Sequence, residues 1–176
     1  MREVSLAVLD IAQNSVDAGA KLVEISVEIH KDGLTFEVRD DGVGMDGETL
    51  AVATKKGVSF KGSTGLGLAL LKEEVEGTGG KVTINSEKYV GTAVKAEYVG
   101  LPNEIPIGNL GATYVTLVDD GYDVKLDIIV FGTKISYDSR EYKSSSCTAV
   151  LQSSGALRLI REDINKFIRQ IGGAML

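Results

Sequence analysis

The sequence has few of the residue types that disulfide-stabilised folds, zinc sites and membrane spans require. Among its 176 residues there is one cysteine, Cys147, and one histidine, His30. One cysteine cannot form an intrachain disulfide, and the two residues together cannot supply the four ligands of a structural zinc site. No apolar run approaches the roughly 20 residues that a transmembrane helix needs. We therefore expect a fold that depends on a hydrophobic core, in a reducing compartment.

The charge balance disfavours nucleic acid as a partner. With 19 basic and 25 acidic residues the formal net charge is −6, which repels a phosphate backbone unless the basic residues cluster. Asp10 interrupts the only early apolar stretch, so no secretory signal peptide is predicted. We expect a cytoplasmic protein that binds neither nucleic acid nor a membrane.

Hydrophobic periodicity predicts the order helix, strand, strand, helix, helix, strand, strand up to residue 99. Apolar residues recur with helical spacing over residues 3–18, whereas alternation over residues 23–29 and 34–38 predicts an antiparallel hairpin. Further helices are predicted near residues 48–54 and 66–76, and strands at 81–86 and 92–99. This order predicts an α+β sandwich with a mixed, mostly antiparallel sheet and helices on one face.

Pro102 and Pro106 mark a predicted boundary between a domain at residues 1–101 and a C-terminal α+β extension at residues 102–176. The extension is predicted to contain a hairpin around Gly132 and a last helix beginning at Ser153 or Ser154. The apolar stripe of that helix either packs on the body or binds a partner, and we favour packing. No motif in the extension points to a chemistry, so its role stays open.

One face of the first helix carries Asp10, Asn14 and Asp17, at positions i, i+4 and i+7. An acidic helix face is usually only solvated. However, an amide oxygen flanked by carboxylates also suits a hard cation such as Mg²⁺. Asn14 is therefore a candidate magnesium ligand.

The segment Asp40-Asp41-Gly42-Val43-Gly44 follows a predicted strand directly. It is either an ordinary turn or a site where Asp40 accepts a hydrogen bond from an adenine amino group while the glycines let the base approach. Gly42, Gly44 and Gly47 have the spacing of a dinucleotide-binding fingerprint. That interpretation is rejected because the preceding strand alternates polar and apolar residues instead of being a buried parallel strand.

A second glycine-rich segment, at residues 62–68, leads into a predicted helix. Bare backbone N–H groups and the helix dipole favour a phosphate at such a place. Three lysines lie just before it, and they either add charge-assisted contacts or are ordinary solvated side chains: Lys55, Lys56 and Lys61.

Taken in order, these segments resemble the nucleotide-binding boxes of the superfamily that includes gyrase, Hsp90, histidine kinases and MutL. Residues 10–20 resemble its N box, residues 40–44 its G1 box, residues 62–69 its G2 box and residues 91–93 its final Gly-Thr box. The G2 box is most similar to those of histidine kinases and anti-sigma serine kinases. The resemblance implies a Bergerat-type ATP-binding fold over residues 1–101.

The resemblance also implies roles for particular residues. Asn14 would hold Mg²⁺, Asp40 would bind the adenine with support from Thr92, and the G2 loop would bind the phosphates of ATP or ADP. The full set of implied nucleotide-binding residues is Asn14, Asp17, Asp40, Gly42, Gly44, Lys56, Gly62, Ser63, Thr64, Gly65, Leu66, Gly67 and Thr92.

The sequence departs from the hydrolysing members of the superfamily at the residue that activates water. Those members carry a glutamate four residues before the asparagine, where this chain has Asp10, one methylene shorter. A misplacement of about 1 Å can cost about 10²-fold in rate, so we expect Asp10 to support slow hydrolysis or none. The chain also begins close to the N box, without the phosphoacceptor hairpin of histidine kinases, so we do not expect a complete histidine kinase.

Three functions remain open. The first is a stand-alone regulatory protein that binds Mg-ATP and acts on a protein partner, as a nucleotide-dependent switch or an anti-sigma-type kinase. The second is a slow ATPase that couples hydrolysis to formation of a homodimer. The third is a nucleotide-binding module without catalytic activity.

Overall fold

A six-stranded sheet with helices packed on one face forms the body of the protein. The computed structural model describes residues 2–53, 67–118, 121–144 and 154–174. The strands are β1 (Leu22–His30), β2 (Gly33–Asp40), β3 (Lys81–Glu87), β4 (Gly91–Val99), β5 (Asp123–Val130) and β6 (Thr133–Asp138). The helices are α1 (Val4–Asp17), α2 (Gly47–Val52), α3 (Gly67–Gly77), α4 (Leu110–Leu117), α5 (Ser139–Ser144) and α6 (Ser154–Ala174).

The strands lie in the order β3-β4-β2-β1-β5-β6, and every neighbouring pair is antiparallel except β1 with β5. This arrangement confirms the predicted α+β sandwich with a mixed, mostly antiparallel sheet. The register pairs Asp40 of β2 with Thr92 of β4, and Thr92 with Ser86 of β3. Because paired residues point to the same face of a sheet, these three side chains form a row across three strands.

The core lies between the sheet and helices α1, α3, α4 and α6. Alternate residues of each central strand point toward these helices, so that Val27, Phe36 and Ile128 are fully buried. Burial of each such side chain stabilises the fold by about 1.5–3 kcal/mol. Charged residues such as Glu37 and Lys125 occupy the alternate positions and face away from the core.

The C-terminal part of the chain extends this same sheet through β5 and β6. In α6, Ile164 is fully buried and several neighbours on its apolar stripe pack against the core, which confirms the packing interpretation. Helices α4 and α5 were not predicted. The division at residue 101 stays a prediction, and residues on both sides of it contribute strands to one sheet.

None of the helices in the described part of the chain combines the length and the apolar composition needed to cross a bilayer.

Candidate functional site

The Asp40 carboxylate, at the end of β2, is held by hydrogen bonds from three directions. Its Oδ1 accepts from the backbone N–H groups of Gly42 at 2.9 Å and Thr92 at 3.2 Å. Its Oδ2 accepts from the Ser15 hydroxyl at 2.7 Å. A carboxylate has about four lone-pair positions, so one position on Oδ2 remains for a ligand donor. The structure thus brings Thr92 to Asp40 and Gly42, which the sequence analysis placed in a different segment.

Ser15 is a residue of this site that the sequence analysis missed. It is 4% exposed, and its Oγ also lies 3.3 Å from the Ile11 carbonyl oxygen. The available signal was its place on the apolar face of α1, one turn after Ile11. A buried hydroxyl usually has a hydrogen-bond partner, and here the partner is the carboxylate of Asp40.

Asp41 has a different role from its neighbour Asp40. Its Oδ1 accepts hydrogen bonds from the backbone N–H groups of Lys21 at 2.7 Å and Leu22 at 2.9 Å. These bonds fix the loop after β2 to the beginning of β1. Asp41 is therefore a structural residue of the loop, and its hydrogen-bond donors differ from those of Asp40.

The glycine loop runs against the turn between β3 and β4, and this close approach requires glycine at position 44. Gly44 has φ of +61°, and a Cβ there would lie 2.0 Å from the Glu87 carbonyl oxygen. The Val43 carbonyl accepts a hydrogen bond from the Tyr89 N–H at 2.7 Å. The loop and the turn are therefore positioned by each other.

Beyond the loop, Asp46 caps the N-terminus of α2 by accepting a hydrogen bond from the Thr49 N–H at 3.0 Å. Hydrogen bonds from Thr49, followed by that from the Lys88 ammonium, lower the pKa of Asp46 to about 2. Asp46 is therefore ionised at neutral pH, as the positive end of a helix dipole favours.

A second set of hydrogen bonds joins the loop to β3 and β4 through Ser86. The Ser86 hydroxyl accepts from the Met45 N–H at 2.8 Å and lies 3.1 Å from the Gly91 carbonyl oxygen. It also lies 2.8 Å from the Thr92 hydroxyl oxygen. Thr92 thus contacts Asp40 with its backbone and Ser86 with its side chain.

Asn14 lies where α1 meets the beginning of α3. Its Nδ2 would be 3.9 Å from a Cβ placed on Gly67, the first residue of α3. Asp17 is exposed, and in the described part of the chain its side chain makes no hydrogen bond or ion pair. Six predicted phosphate-binding residues lie outside the described residues, and these are Lys56, Gly62, Ser63, Thr64, Gly65 and Leu66.

The carboxylate of Asp10, the candidate catalytic residue, is paired with a guanidinium group. Arg2 Nη1 donates to Asp10 Oδ2. The Arg2 backbone N–H donates to Glu74 Oε1 at 2.9 Å, and Arg2 Nε lies 3.8 Å from Glu74 Oε2. Arg2 therefore connects the beginning of the chain to both α1 and α3. This partner of Asp10 was not predicted, because nothing in a single basic residue at position 2 indicates its contacts.

Comparison with known proteins identifies relatives of this chain. A sequence model of the family described as histidine kinase-, DNA gyrase B-, and HSP90-like ATPase matches residues 2–103. Sensor histidine kinase DcuS of Escherichia coli (strain K12) is 46% identical over 72 residues, which are 39% of this chain and 13% of DcuS. Sensor histidine kinase YvrG of Bacillus subtilis (strain 168) is 37% identical over 89 residues, 46% of this chain and 15% of YvrG.

The matches thus span less than a sixth of the length of these two kinases. Among solved structures, the N-terminal domain of a DNA repair protein superposes with a TM-score of 0.58 at 16% identity. That superposition covers 90% of this chain and 59% of the other. It shows a common fold.

Proposed function

Because the chain belongs to the family of histidine kinase-, DNA gyrase B- and HSP90-like ATPases, we propose that it binds Mg-ATP and uses the nucleotide to regulate a protein partner. Its first hundred or so residues form an ATP-binding domain of that family. The observation that carries the proposal is the Asp40 carboxylate, fixed by three protein hydrogen bonds with one acceptor position left on Oδ2.

Asp40 supplies the recognition of the base. The free acceptor position of a fixed carboxylate pairs with the 6-amino group of adenine, which is a hydrogen-bond donor. The corresponding group of guanine or hypoxanthine is a carbonyl oxygen, which meets the carboxylate as a second acceptor. A polar site left unpaired in this way costs about 1–3 kcal/mol, so the site favours adenine nucleotides.

Asn14 and the beginning of α3 fit the triphosphate end with its magnesium ion. The Asn14 amide is an oxygen donor of the kind that Mg²⁺ accepts, and the N-terminus of α3 beside it favours negative charge. The described residues contain no cluster of three or more His, Cys, Asp or Glu side chains that could hold a metal. This fits Mg²⁺, which usually has few protein ligands and shares the substrate phosphates, whose charge it neutralises.

The contact between Asp10 and Arg2 favours regulation over rapid turnover. One carboxylate oxygen of Asp10 already accepts from the guanidinium, which competes with an attacking water or hydroxyl for that oxygen. If a phosphoryl group is transferred, a partner hydroxyl attacks the γ-phosphorus, the bond to the ADP oxygen breaks, and the hydroxyl proton passes to a carboxylate such as Asp10. If none is transferred, the partner distinguishes the ATP-bound form from the ADP-bound or empty form.

The test is calorimetric titration with ATP, with and without Mg²⁺, on the wild type, Asn14→Ala and Gln13→Ala. We expect magnesium to strengthen ATP binding by the wild type and by Gln13→Ala, an exposed neighbour on α1. Asn14→Ala is expected to lose that magnesium-dependent gain while it keeps its affinity for ATP alone. A gain that survives in Asn14→Ala would contradict the magnesium assignment, and no binding at millimolar ATP would refute the whole proposal.

The regulatory part is tested with proteins encoded next to this chain and ATP labelled at the γ-phosphate. Label on the partner would identify a kinase, and co-elution that depends on ATP without label transfer would identify a switch. If ATP binding is confirmed but no such protein is labelled or co-elutes with this chain, the regulatory role is refuted and the proposal of ATP binding stands.

A further inference from the structure

We propose that Ser86 determines base specificity at this site by fixing the direction in which the Thr92 hydroxyl donates its hydrogen. This inference rests on the proposed function, because it concerns the same adenine pocket. Ser86 is thus a positioning residue that acts through Thr92. Its side chain need not touch the nucleotide.

Three side chains lie next to each other on one face of the sheet, across β2, β4 and β3: those of Asp40, Thr92 and Ser86. The Thr92 N–H donates to Asp40 Oδ1 at 3.2 Å, while its Oγ1 lies 2.8 Å from Ser86 Oγ. Thr92 is half-buried between the two. The Thr92 hydroxyl can present either its hydrogen or its lone pairs to a base bound at Asp40, and its contact with Ser86 therefore determines which of them it presents.

The partners of Ser86 leave one arrangement of hydrogens that satisfies all of them. A serine hydroxyl has one hydrogen to donate and two lone pairs that accept. The Met45 N–H can only donate, and the Gly91 carbonyl can only accept. Ser86 therefore accepts from Met45 and donates to Gly91, and its remaining lone pair accepts the hydrogen of the Thr92 hydroxyl. The opposite direction would leave a Ser86 lone pair unused and remove the bond to Gly91.

In this arrangement Thr92 presents lone pairs, and no hydrogen, to the pocket. Asp40 and Thr92 then offer two neighbouring acceptors, which match the 6-amino group of adenine directly or through a bridging water. A base with a carbonyl at position 6 finds no donor. Removal of the Ser86 hydroxyl would free the Thr92 hydrogen, which could then turn toward the base and donate to such a carbonyl.

The test compares ATP with inosine triphosphate, whose base carries a carbonyl where adenine has its amino group. Dissociation constants for both are measured calorimetrically on the wild type, Ser86→Ala, Ser86→Thr and Thr83→Val. We expect Ser86→Ala to lower the ratio of the dissociation constant for inosine triphosphate to that for ATP by about three- to tenfold, which is the effect of one neutral hydrogen bond. Ser86→Thr returns a hydroxyl and should restore the wild-type ratio. Thr83→Val removes a hydroxyl elsewhere on β3 and should leave the ratio unchanged.

A purely structural role for Ser86 would weaken both nucleotides equally, and an unchanged ratio in Ser86→Ala would overturn the proposal while the proposed function stands. Absence of ATP binding by the wild type would overturn both. Thr92→Val gives a second measurement if Ser86→Ala does not fold. It should also lower the ratio. Where Ser86→Ala folds, adding it to Thr92→Val should lower the ratio no further, because Ser86 acts through Thr92. Additive effects of the two substitutions would also overturn the proposal.

Discussion

Replacement of Asp40 by asparagine should change which base the site prefers and leave the fold intact. The new amide oxygen can still accept from the Gly42 and Thr92 N–H groups that now bond to Oδ1. The new amide nitrogen would face Ser15, whose Oγ can accept from it while its own hydrogen turns to the Ile11 carbonyl, 3.3 Å away. Every protein partner of the carboxylate therefore remains satisfied, and we expect the free energy of unfolding to change by less than about 1 kcal/mol.

The nucleotide experiences a larger change than the protein does. A hydrogen bond to a charged group contributes about 1.5–3 kcal/mol, and its loss corresponds to roughly 10- to 150-fold weaker ATP binding. In Asp40→Asn the position that accepted from the adenine amino group would carry an N–H donor. Inosine triphosphate has an acceptor at that position, so its affinity relative to ATP should rise.

The matched control is Asp41→Asn, the same chemical change one residue later. Its amide oxygen can continue to accept from the Lys21 and Leu22 N–H groups, which are not among the donors to Asp40. We expect ATP affinity within about twofold of the wild type, since surface substitutions usually stay within about 0.5 kcal/mol. Calorimetric titration and thermal unfolding on both variants check these expectations. The reasoning is refuted if Asp40→Asn binds ATP as the wild type does, or if both variants lose affinity equally.

Two further predictions concern stability. The Tyr98 side chain is 2% exposed, and its hydroxyl has no hydrogen-bond partner among the described residues, so Tyr98→Phe should stabilise the fold by about 1 kcal/mol in urea denaturation. Burial, followed by the negative charge of Glu74, raises the pKa of Tyr98 from 10.0 to about 12. Below pH 10 the phenol is neutral in the folded and the unfolded state, so its ionisation does not affect stability; as the pH rises from 10 to 12 the unfolded state ionises first and about 3 kcal/mol of stability is lost. Tyr98→Phe should abolish that alkaline loss, and a destabilised variant with an unchanged pH profile would contradict both statements. Gly44→Ala should cost at least about 2 kcal/mol in thermal unfolding, because the alanine would have to adopt φ of +61° with its Cβ 2.0 Å from the Glu87 carbonyl oxygen. Gly47→Ala has open space around its Cβ and should be neutral or stabilising.

The predictable part of the fold is the part encoded by local patterns. Alternation of apolar residues identified β1 and β2 because a half-buried strand repeats every two residues. The same alternation fixed the hairpin, since a slip by one residue would turn Phe36 and Val38 to solvent. Asp40 and the glycines were noticeable because they end a strand abruptly. The approach of Thr92 to Asp40 then follows from the pairing of β2 with β4.

Helix α4 could not be predicted because its stability depends on distant contacts. Its residues are mostly apolar and three of the eight are β-branched, without the one-sided periodicity of a surface helix. Its N-cap is Asn109, whose side chain accepts from the Ala112 N–H at 2.8 Å. It then packs so closely on α6 that a Cβ on Gly111 would lie 2.4 Å from the Arg161 carbonyl oxygen. The contacts of Arg2 with Glu74 and of Ser15 with Asp40 escaped prediction for the same reason, since these partners lie 72 and 25 residues away.

The segment after the predicted boundary takes part in positioning the proposed nucleotide site, because it holds the beginning of α1. The first N–H groups of a helix have no partner within it, and the N-cap residue Glu3 makes no side-chain cap. The N–H groups of Val4 and Ser5 instead donate to the carbonyl oxygens of Pro106 at 2.8 Å and Ile107 at 2.9 Å. The same helix carries Asn14 and Ser15 to the site three turns later. A displacement of residues 106–107 would therefore move the Ser15 hydroxyl relative to the Asp40 carboxylate, although residues 106–107 need not contact the nucleotide.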